Sequence, residues 1–329
     1  MTKKTIRNHF SPTLANTHWA QDHPDSRYSY YHFCTNRKFF VKSKNGLSKK
    51  SWGFQENLYP QVVEDEFANK IENDAKFVYE KMLGDLNLSH SERVSWARFI
   101  LTQAMRTPSY IKYRELAAKI TGRSFEISDI LDTDSYGRLE HILRRSWIVL
   151  KAAEDDFFIR TDNPVYMTGF IELPDTVLIY PLSPKMCFVA CSIPKGQEHN
   201  ENMLQKRLQL EKGDSFRINF ELAMSASRSL ILSGDDDCQA FELLCKKVMG
   251  KYPQIPFLMG LPSSEMQSIR VADMIVNLMR QADEVNYGYK EYPFTPFYGY
   301  EFEFGLNPFS IFGLTDSAAQ KVLANIEKS

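Results

Sequence analysis

Thr161-Asp162-Asn163-Pro164-Val165 stands between the apolar run Phe157-Phe158-Ile159 and the strand-like Val177-Leu178-Ile179-Tyr180-Pro181-Leu182-Ser183-Pro184. This setting brings a carboxylate to the end of an expected strand and fixes it in a turn. Asp at a turn's first position bonds the backbone two residues on, and Asn163, which precedes Pro164, is driven from helical into extended geometry. An acid presented in this way can move a proton or hold a divalent cation. Asp162 is therefore a catalytic and metal-binding candidate, and Asn163 a substrate contact. Asp-Asn-Pro is also ordinary turn chemistry, so a purely structural role stands beside the functional one.

Other polar residues extend this set. Gln103 and Arg106 are three apart and share a helix face, and Arg106 sits just before Pro108 disrupts helical bonding. Its planar guanidinium suits a phosphate or carboxylate; the structural alternative is an ion pair with a nearby carboxylate, Asp162 among the choices. His9 is a candidate general base, metal ligand or orienting donor, set against a packing role beside an N-terminal strand. Glu72, next to Ile71 on an expected helix, is a candidate metal ligand or a solvated helix-face charge. Asn219 is read as a ligand contact or a helix cap. If a metal serves this set, its oxygen-rich character points to Mg2+ or Mn2+.

Several chemistries lack their sequence signal. Gly46, Gly84 and Gly122 are isolated, so no phosphate-cradling loop is formed, and there is no Gly-x-Ser-x-Gly or His-Glu-x-x-His. The five cysteines are odd in number and have no Cys-x-x-Cys spacing, which predicts reduced thiols in a cytoplasmic protein. A formal charge of -1 gives no global field toward nucleic acid or membrane, although a local basic groove remains open. No apolar run reaches the roughly 18 residues a spanning helix needs, and the start Met1-Thr2-Lys3-Lys4 does not lead into a signal-peptide core.

The elements that must position these residues follow from periodicity. Tyr28 to Phe33 and Phe39 to Val41 read as strands of a small N-terminal β region, with Lys44-Asn45-Gly46 as a tight turn. One amphipathic helix is expected from Val62 to Leu86. Ser89 with Glu92 makes a capping box that opens a second, which bends or ends at Thr107-Pro108, and a third closes at Gly122. Helical spacing continues after Ser128 through Leu139, Ile142, Trp147 and Leu150. Strands then follow at 157–161, 165–168, 177–182, 187–192 and 229–233, with helices at 202–211 and 218–226. A block of helices followed by a block of strands predicts an α+β fold with a mainly antiparallel sheet. The last ninety or so residues read as helices near 240–249 and 266–282, then a tract dense in Tyr, Phe and Pro from Tyr287 to Leu314.

Asn8-His9-Phe10-Ser11-Pro12, the helix from Ser91 through Phe99 to Arg106-Thr107-Pro108, the stretch from Trp147 to Pro164, Tyr180-Pro181-Leu182-Ser183-Pro184, and Arg217-Ile218-Asn219 leading to Ser227–Ile231 occur in an order that resembles the mainly bacterial family DUF4238. The resemblance covers about residues 5–235, which are read with the start of the chain as one α+β domain over 1–235; residues 236–329, outside the resemblance, are expected from their own pattern to be a helical and aromatic-rich extension packed on it. The resemblance implies no established activity.

Two functions are expected from these residues. In the first, His9 and Asp162, with Glu72, transfer protons or hold a metal while Arg106 meets developing negative charge, as in a hydrolase or nuclease of phosphodiester or nucleotide bonds with a defence or toxin-like role. In the second, the chain is a non-catalytic module that binds a protein partner or itself through residues 285–314, where acidic residues outnumber basic ones and disfavour base stacking.

Overall fold

The computed structural model describes residues 7–19, 31–34, 39–42, 52–84, 86–122, 124–133, 138–167, 171, 176–191, 206–226 and 229–232. The expected turn at 44–46, the helices near 240–249 and 266–282 and the aromatic tract 285–314 lie outside these residues.

The chain enters through β1 (Arg7–His9) and α1 (Thr13–Asn16), followed by a 3-10 turn at Thr17–Trp19. Next come β2 (Tyr31–Cys34), β3 (Phe39–Lys42) and β4 (Phe54–Glu56). The helical block holds α2 (Gln61–Glu66), a π-helical segment Phe67–Glu72, α3 (Asn73–Leu83), α4 (His90–Met105), α5 (Pro108–Thr121) and α6 (Arg138–Leu143). The remainder is β5 (Ser146–Lys151), β6 (Arg160–Thr161), β7 (Tyr166–Met167), β8 (Leu178–Ser183), β9 (Met186–Cys191), β10 (Lys206–Gln209), α7 (Asp214–Ser225) and β11 (Ser229–Leu232).

Three sheets organise this α+β fold. β1 pairs with β4. A five-stranded sheet runs β10-β5-β9-β8-β7, antiparallel except for β10 on β5, and a four-stranded antiparallel sheet runs β3-β2-β11-β6. β2 of the N-terminal β region thus pairs with β11 on one side and β3 on the other, joining the two ends of the described fold.

Local chemistry explains the helix boundaries. Ser89 and Glu92 form the expected capping box at the start of α4. Thr107 accepts from the Tyr110 amide as N-cap of α5, Pro108 takes the first helical position, and Gly122 closes the helix in the left-handed region. α4 buries Trp96 against Tyr79, Phe99, Tyr180 and Phe188, in an aromatic cluster of stacked and edge-to-face rings.

The five-stranded sheet has a core on each face. Trp147, Val149, Tyr180 and Phe188 face the helical block, while Ile148, Leu150, Ile179 and Val189 join Ile218 and Leu222 of α7 on the other side. A strand buried on both faces loses its polar alternation, which is why Ser146–Lys151, expected as helix, forms β5. The expected helix at 202–211 is likewise corrected: Lys206–Gln209 is β10, held parallel to β5. The helix expected at 62–86 is interrupted by the π segment. The strand expected at 157–161 is confined to Arg160–Thr161, and Phe157–Ile159 is held by a helix side chain instead. No described helix is long and apolar enough to cross a membrane.

Candidate functional site

The N-terminal segment builds the site. β1 is pinned to β4, and its middle residue, Asn8, points inward. The Asn8 Oδ1 accepts from the amides of Leu58 (2.7 Å) and Tyr59 (3.1 Å), and its Nδ2 donates to Glu64 Oε2 at 3.3 Å. Glu64 is thereby held against His9: the His9 amide donates to Glu64 Oε1 at 3.4 Å, and the same oxygen lies 4.0 Å from His9 Nδ1. The Tyr59 hydroxyl donates to the His9 carbonyl at 3.4 Å, and burial pushes this phenol well up, so it stays a donor.

Arg106 forms the floor. It is the residue at which α4 stops, and its Nη1 meets Glu72 Oε1 at 2.7 Å while its Nε donates to the Phe10 carbonyl at 3.2 Å. Its carbon centre lies 5.1 Å from the centroid of the Phe67 ring. Phe67 and Glu72 are the two ends of the π segment. At about 100° per residue an α-helix would splay positions five apart by about 140°, whereas i→i+5 bonding brings them onto one face. The π segment is thus what lets both residues reach one guanidinium. Burial works against the Arg106 charge, and Glu72, Tyr59 and Glu64 together more than offset it, holding the guanidinium above its ordinary range.

His9, Glu64 and Glu72 form the rim, with side chains 28%, 17% and 20% exposed, whereas Arg106 is 1% exposed. Burial pulls the His9 imidazole below its usual value; Glu64 opposes this, and Arg106 adds to it. The ring is therefore neutral near pH ~7. Among the described residues, four buried atoms of these side chains have no hydrogen-bond partner: His9 Nε2, Arg106 Nη2, and both the Oε1 and Nε2 of Gln103, which is fully buried one turn before Arg106. A buried polar atom left unbonded costs about 1–3 kcal/mol, and native proteins keep few of them.

Asp162, Asn163 and Asn219 are placed elsewhere. The Asp162 Oδ2 accepts from the Ser229 amide at 3.1 Å and its own amide donates to the Ser229 carbonyl at 3.0 Å, closing the four-stranded sheet. Asn163 Nδ2 donates to the Ser225 carbonyl at 2.7 Å. Asn219 lies within α7 rather than at its cap; its Oδ1 accepts from the Ile159 amide at 3.0 Å and its Nδ2 donates to the Phe157 carbonyl at 2.6 Å. These residues fasten the 157–165 turn to its neighbours. The carboxylate that reaches Arg106 is Glu72, not Asp162. Glu72 and Asp162, expected together as metal ligands, are bonded to Arg106 and Ser229 respectively, and the described residues contain no group of three or more His, Cys, Asp or Glu placed to hold a metal ion.

Sequence reasoning missed a second buried guanidinium. Arg160 donates through Nε to Asn16 Oδ1 (2.7 Å) and Ser11 Oγ (3.3 Å), through Nη1 to the Pro181 carbonyl (3.1 Å), and through Nη2 to the Tyr180 hydroxyl (2.9 Å). Gly53 lets the segment fit: its φ is +74°, and a β-carbon there would stand 2.6 Å from Ser11 Cβ. Glu64 and Tyr59 were missed as well. The nearest signal for all of them is the polar density of Asn8-His9-Phe10-Ser11, whose residues touch both arginine clusters.

A family model described as a protein of unknown function, DUF4238, matches residues 7–237, well over half of the chain and all of both clusters. No curated protein and no solved structure matches the chain. On that match, with both arginine clusters inside it, the chain belongs to the DUF4238 family.

Proposed function

We propose that this protein is a hydrolase of phosphodiester or nucleotide bonds, with His9 as general base and Arg106 as the group that meets developing negative charge. The observation that carries this reading is the set of buried, unbonded polar atoms on His9, Gln103 and Arg106, with Gln103 one turn before Arg106 on α4 and Arg106 docked on the Phe10 carbonyl next to His9. Glu64 on the Nδ1 side of His9 favours the tautomer whose Nε2 lone pair faces inward, and it stabilises the imidazolium once a proton is taken. Arg106 Nη2 and Gln103 Nε2 offer donors to a phosphoryl oxygen, and the Glu72 ion pair and Phe10 carbonyl hold the guanidinium in a fixed orientation.

A non-catalytic reading, in which polar clusters only organise the interior, draws its support from Arg160, whose nitrogens are all spent on neutral partners of the fold. The two separate in one experiment. Full-length protein is incubated with DNA, RNA and nucleotides, with and without Mg2+ or Mn2+, beside His9→Ala and Arg106→Ala. The hydrolase reading expects cleavage that falls on the order of 10²-fold or more in each variant while both stay folded. Inert wild-type protein, or variants that unfold without a selective loss of cleavage, would favour the interior-organising role.

A further inference from the structure

Glu64 stands at the rim with its side chain 17% exposed, where an untethered carboxylate would turn among its rotamers in water. It is tied instead to two consecutive residues of β1. Successive residues of a strand project to opposite faces, and Asn8 is fully buried while His9 is partly exposed. One carboxylate nevertheless serves both. Asn8 Nδ2 donates to Oε2 at 3.3 Å, and the His9 amide donates at 3.4 Å to Oε1, the oxygen that lies 4.0 Å from His9 Nδ1. Asn8 is fixed in turn: Asn57 stands in the left-handed region at φ 54°, and the two amides that follow it, of Leu58 and Tyr59, both donate to Asn8 Oδ1. A side chain here must accept on one side and donate on the other within one short planar group, as Asn does. Asp would set a second carboxylate against Glu64, and Ser would fall short of it.

We propose that Asn8 is the positioning residue for His9: by fixing the Glu64 carboxylate on the Nδ1 side it sets the tautomer of the ring and holds in place the charge that stabilises its protonated form. The Nδ1 hydrogen then faces Glu64 and Nε2 is left as the acceptor, the reverse of the Nε2–H form that a free histidine favours. Where turnover is concerned this rests on the hydrolase reading, in which Nε2 is the base; the state of the ring stands apart from it. The other charges near the ring are Arg106 of α4 and Arg7 of β1, which disfavour its protonated form, and Glu72 of the π segment, which favours it. Among the described residues, the Asn8 side chain bonds the Leu58 and Tyr59 amides and Glu64, and no other charged group. Its reach to the ring therefore runs through Glu64.

The test uses the full chain with isotopically labelled histidine, read by NMR of the ring nitrogens. Above its titration midpoint, His9 of the parent should carry its hydrogen on Nδ1; a ring protonated on Nε2 would overturn the proposal at once. Glu64→Gln, which keeps the shape of the rim and removes its charge, should lower the His9 midpoint by on the order of 1 pH unit. Asn8→Ser should move the midpoint in the same direction and raise the share of the Nε2–H form. In the Glu64→Gln background, Asn8→Ser should then move it no further, because the two residues act in series. An Asn8→Ser ring that titrates as in the parent, or a shift of equal size in both backgrounds, would overturn the assignment. Should Asn8→Ser fail to fold, Asn8→Asp keeps the oxygen that the Leu58 and Tyr59 amides need, and its carboxyl should drive Glu64 off the ring. The Nε2–H share should then rise, and an unchanged tautomer would refute the role of Asn8. In cleavage assays Asn8→Ser should lower kcat on the order of 10-fold with KM unchanged, and the acidic limb of the pH profile should follow the His9 midpoint. A chain inert toward nucleic acids and nucleotides would overturn the hydrolase reading and leave the ring result standing.

Discussion

Arg106 and Arg160 are the same residue type at the same depth, and they dock on consecutive residues of one segment: Arg106 on the Phe10 carbonyl, Arg160 on the Ser11 hydroxyl. They differ in how their donors are used. Arg160 lies 4.8 Å from the Tyr180 ring centroid and 5.5 Å from that of Trp19, and each of its nitrogens bonds a neutral group. Arg106 bonds a carboxylate at the rim and keeps Nη2 unbonded among the described residues. Burial alone therefore does not separate scaffold from site. A guanidinium whose three nitrogens are all bonded fixes the chain around it, while one that keeps a nitrogen unbonded has a donor left for a ligand.

The largest expected effect tests that difference directly. Arg160→Met should cost roughly 3–5 kcal/mol in urea unfolding, because it strands Asn16, Ser11, the Pro181 carbonyl and the Tyr180 hydroxyl in a dry interior. Arg106→Met should cost roughly 1–3 kcal/mol, since it leaves behind the Phe10 carbonyl and Glu72, and Glu72 stands at the rim where water can solvate it. Equal losses, or a larger loss at Arg106, would erase the distinction between the two clusters.

What the sequence disclosed follows the same division. Gln103 and Arg106 were legible because helical spacing and the Thr107-Pro108 break are local signals, and the Ser89 to Glu92 cap was legible for the same reason. Glu72 could be suspected but its partner could not be named, because an α-helical phase keeps it off the face of Phe67 and only the π segment brings the two together on Arg106. Arg160 gave no signal: one Arg after Phe157-Phe158-Ile159 reads as the end of a strand, and its partners come from residues 11, 16, 180 and 181. β5 was misread because burial on both faces removes the alternation on which a strand reading depends, and β10 because a four-residue edge strand, Lys206–Gln209, carries too few apolar positions to set a period.

The comparison extends to carboxylates. Glu72 has a cation, whereas Glu221 on α7 is buried with the Tyr166 hydroxyl donating to it at 2.8 Å. Burial pushes the Glu221 carboxyl up from 4.5 to about 7, and the Tyr166 hydrogen bond opposes the shift. With the folded value above the unfolded one, the native protein keeps a proton that the unfolded chain has released. Stability is therefore lost as pH rises from about 4.5 to about 7, and the penalty is complete above that window. Glu221→Gln should remove it, giving up to about 3 kcal/mol more stability near pH 8 and little change near pH 4 in urea titrations. A variant no more stable than its parent at the higher pH would show that Glu221 meets a compensating charge in the fold.

The smallest effect is also the most selective. Each of these two guanidiniums has its own histidine: Arg106 lowers the titration of His9, and Arg160 lowers that of His18, which stacks on Tyr79 with centroids 5.4 Å apart. For both histidines burial is the larger cause, and a carboxylate opposes it, Glu64 for His9 and Glu80 for His18. A histidine whose folded value lies below its unfolded 6.5 costs stability as pH falls through 6.5, because the unfolded chain takes the proton first. The loss levels off below the folded value. Arg106→Gln removes a cation near His9 and leaves the surroundings of His18 as they are. In an NMR titration of the ring protons, the His9 midpoint should rise toward 6.5 while that of His18 stays fixed, and the loss of stability on acidification should shrink by the His9 share alone. Midpoints that move together would mean that one field spans both clusters, and the two arginines would then have to be treated as a single electrostatic unit.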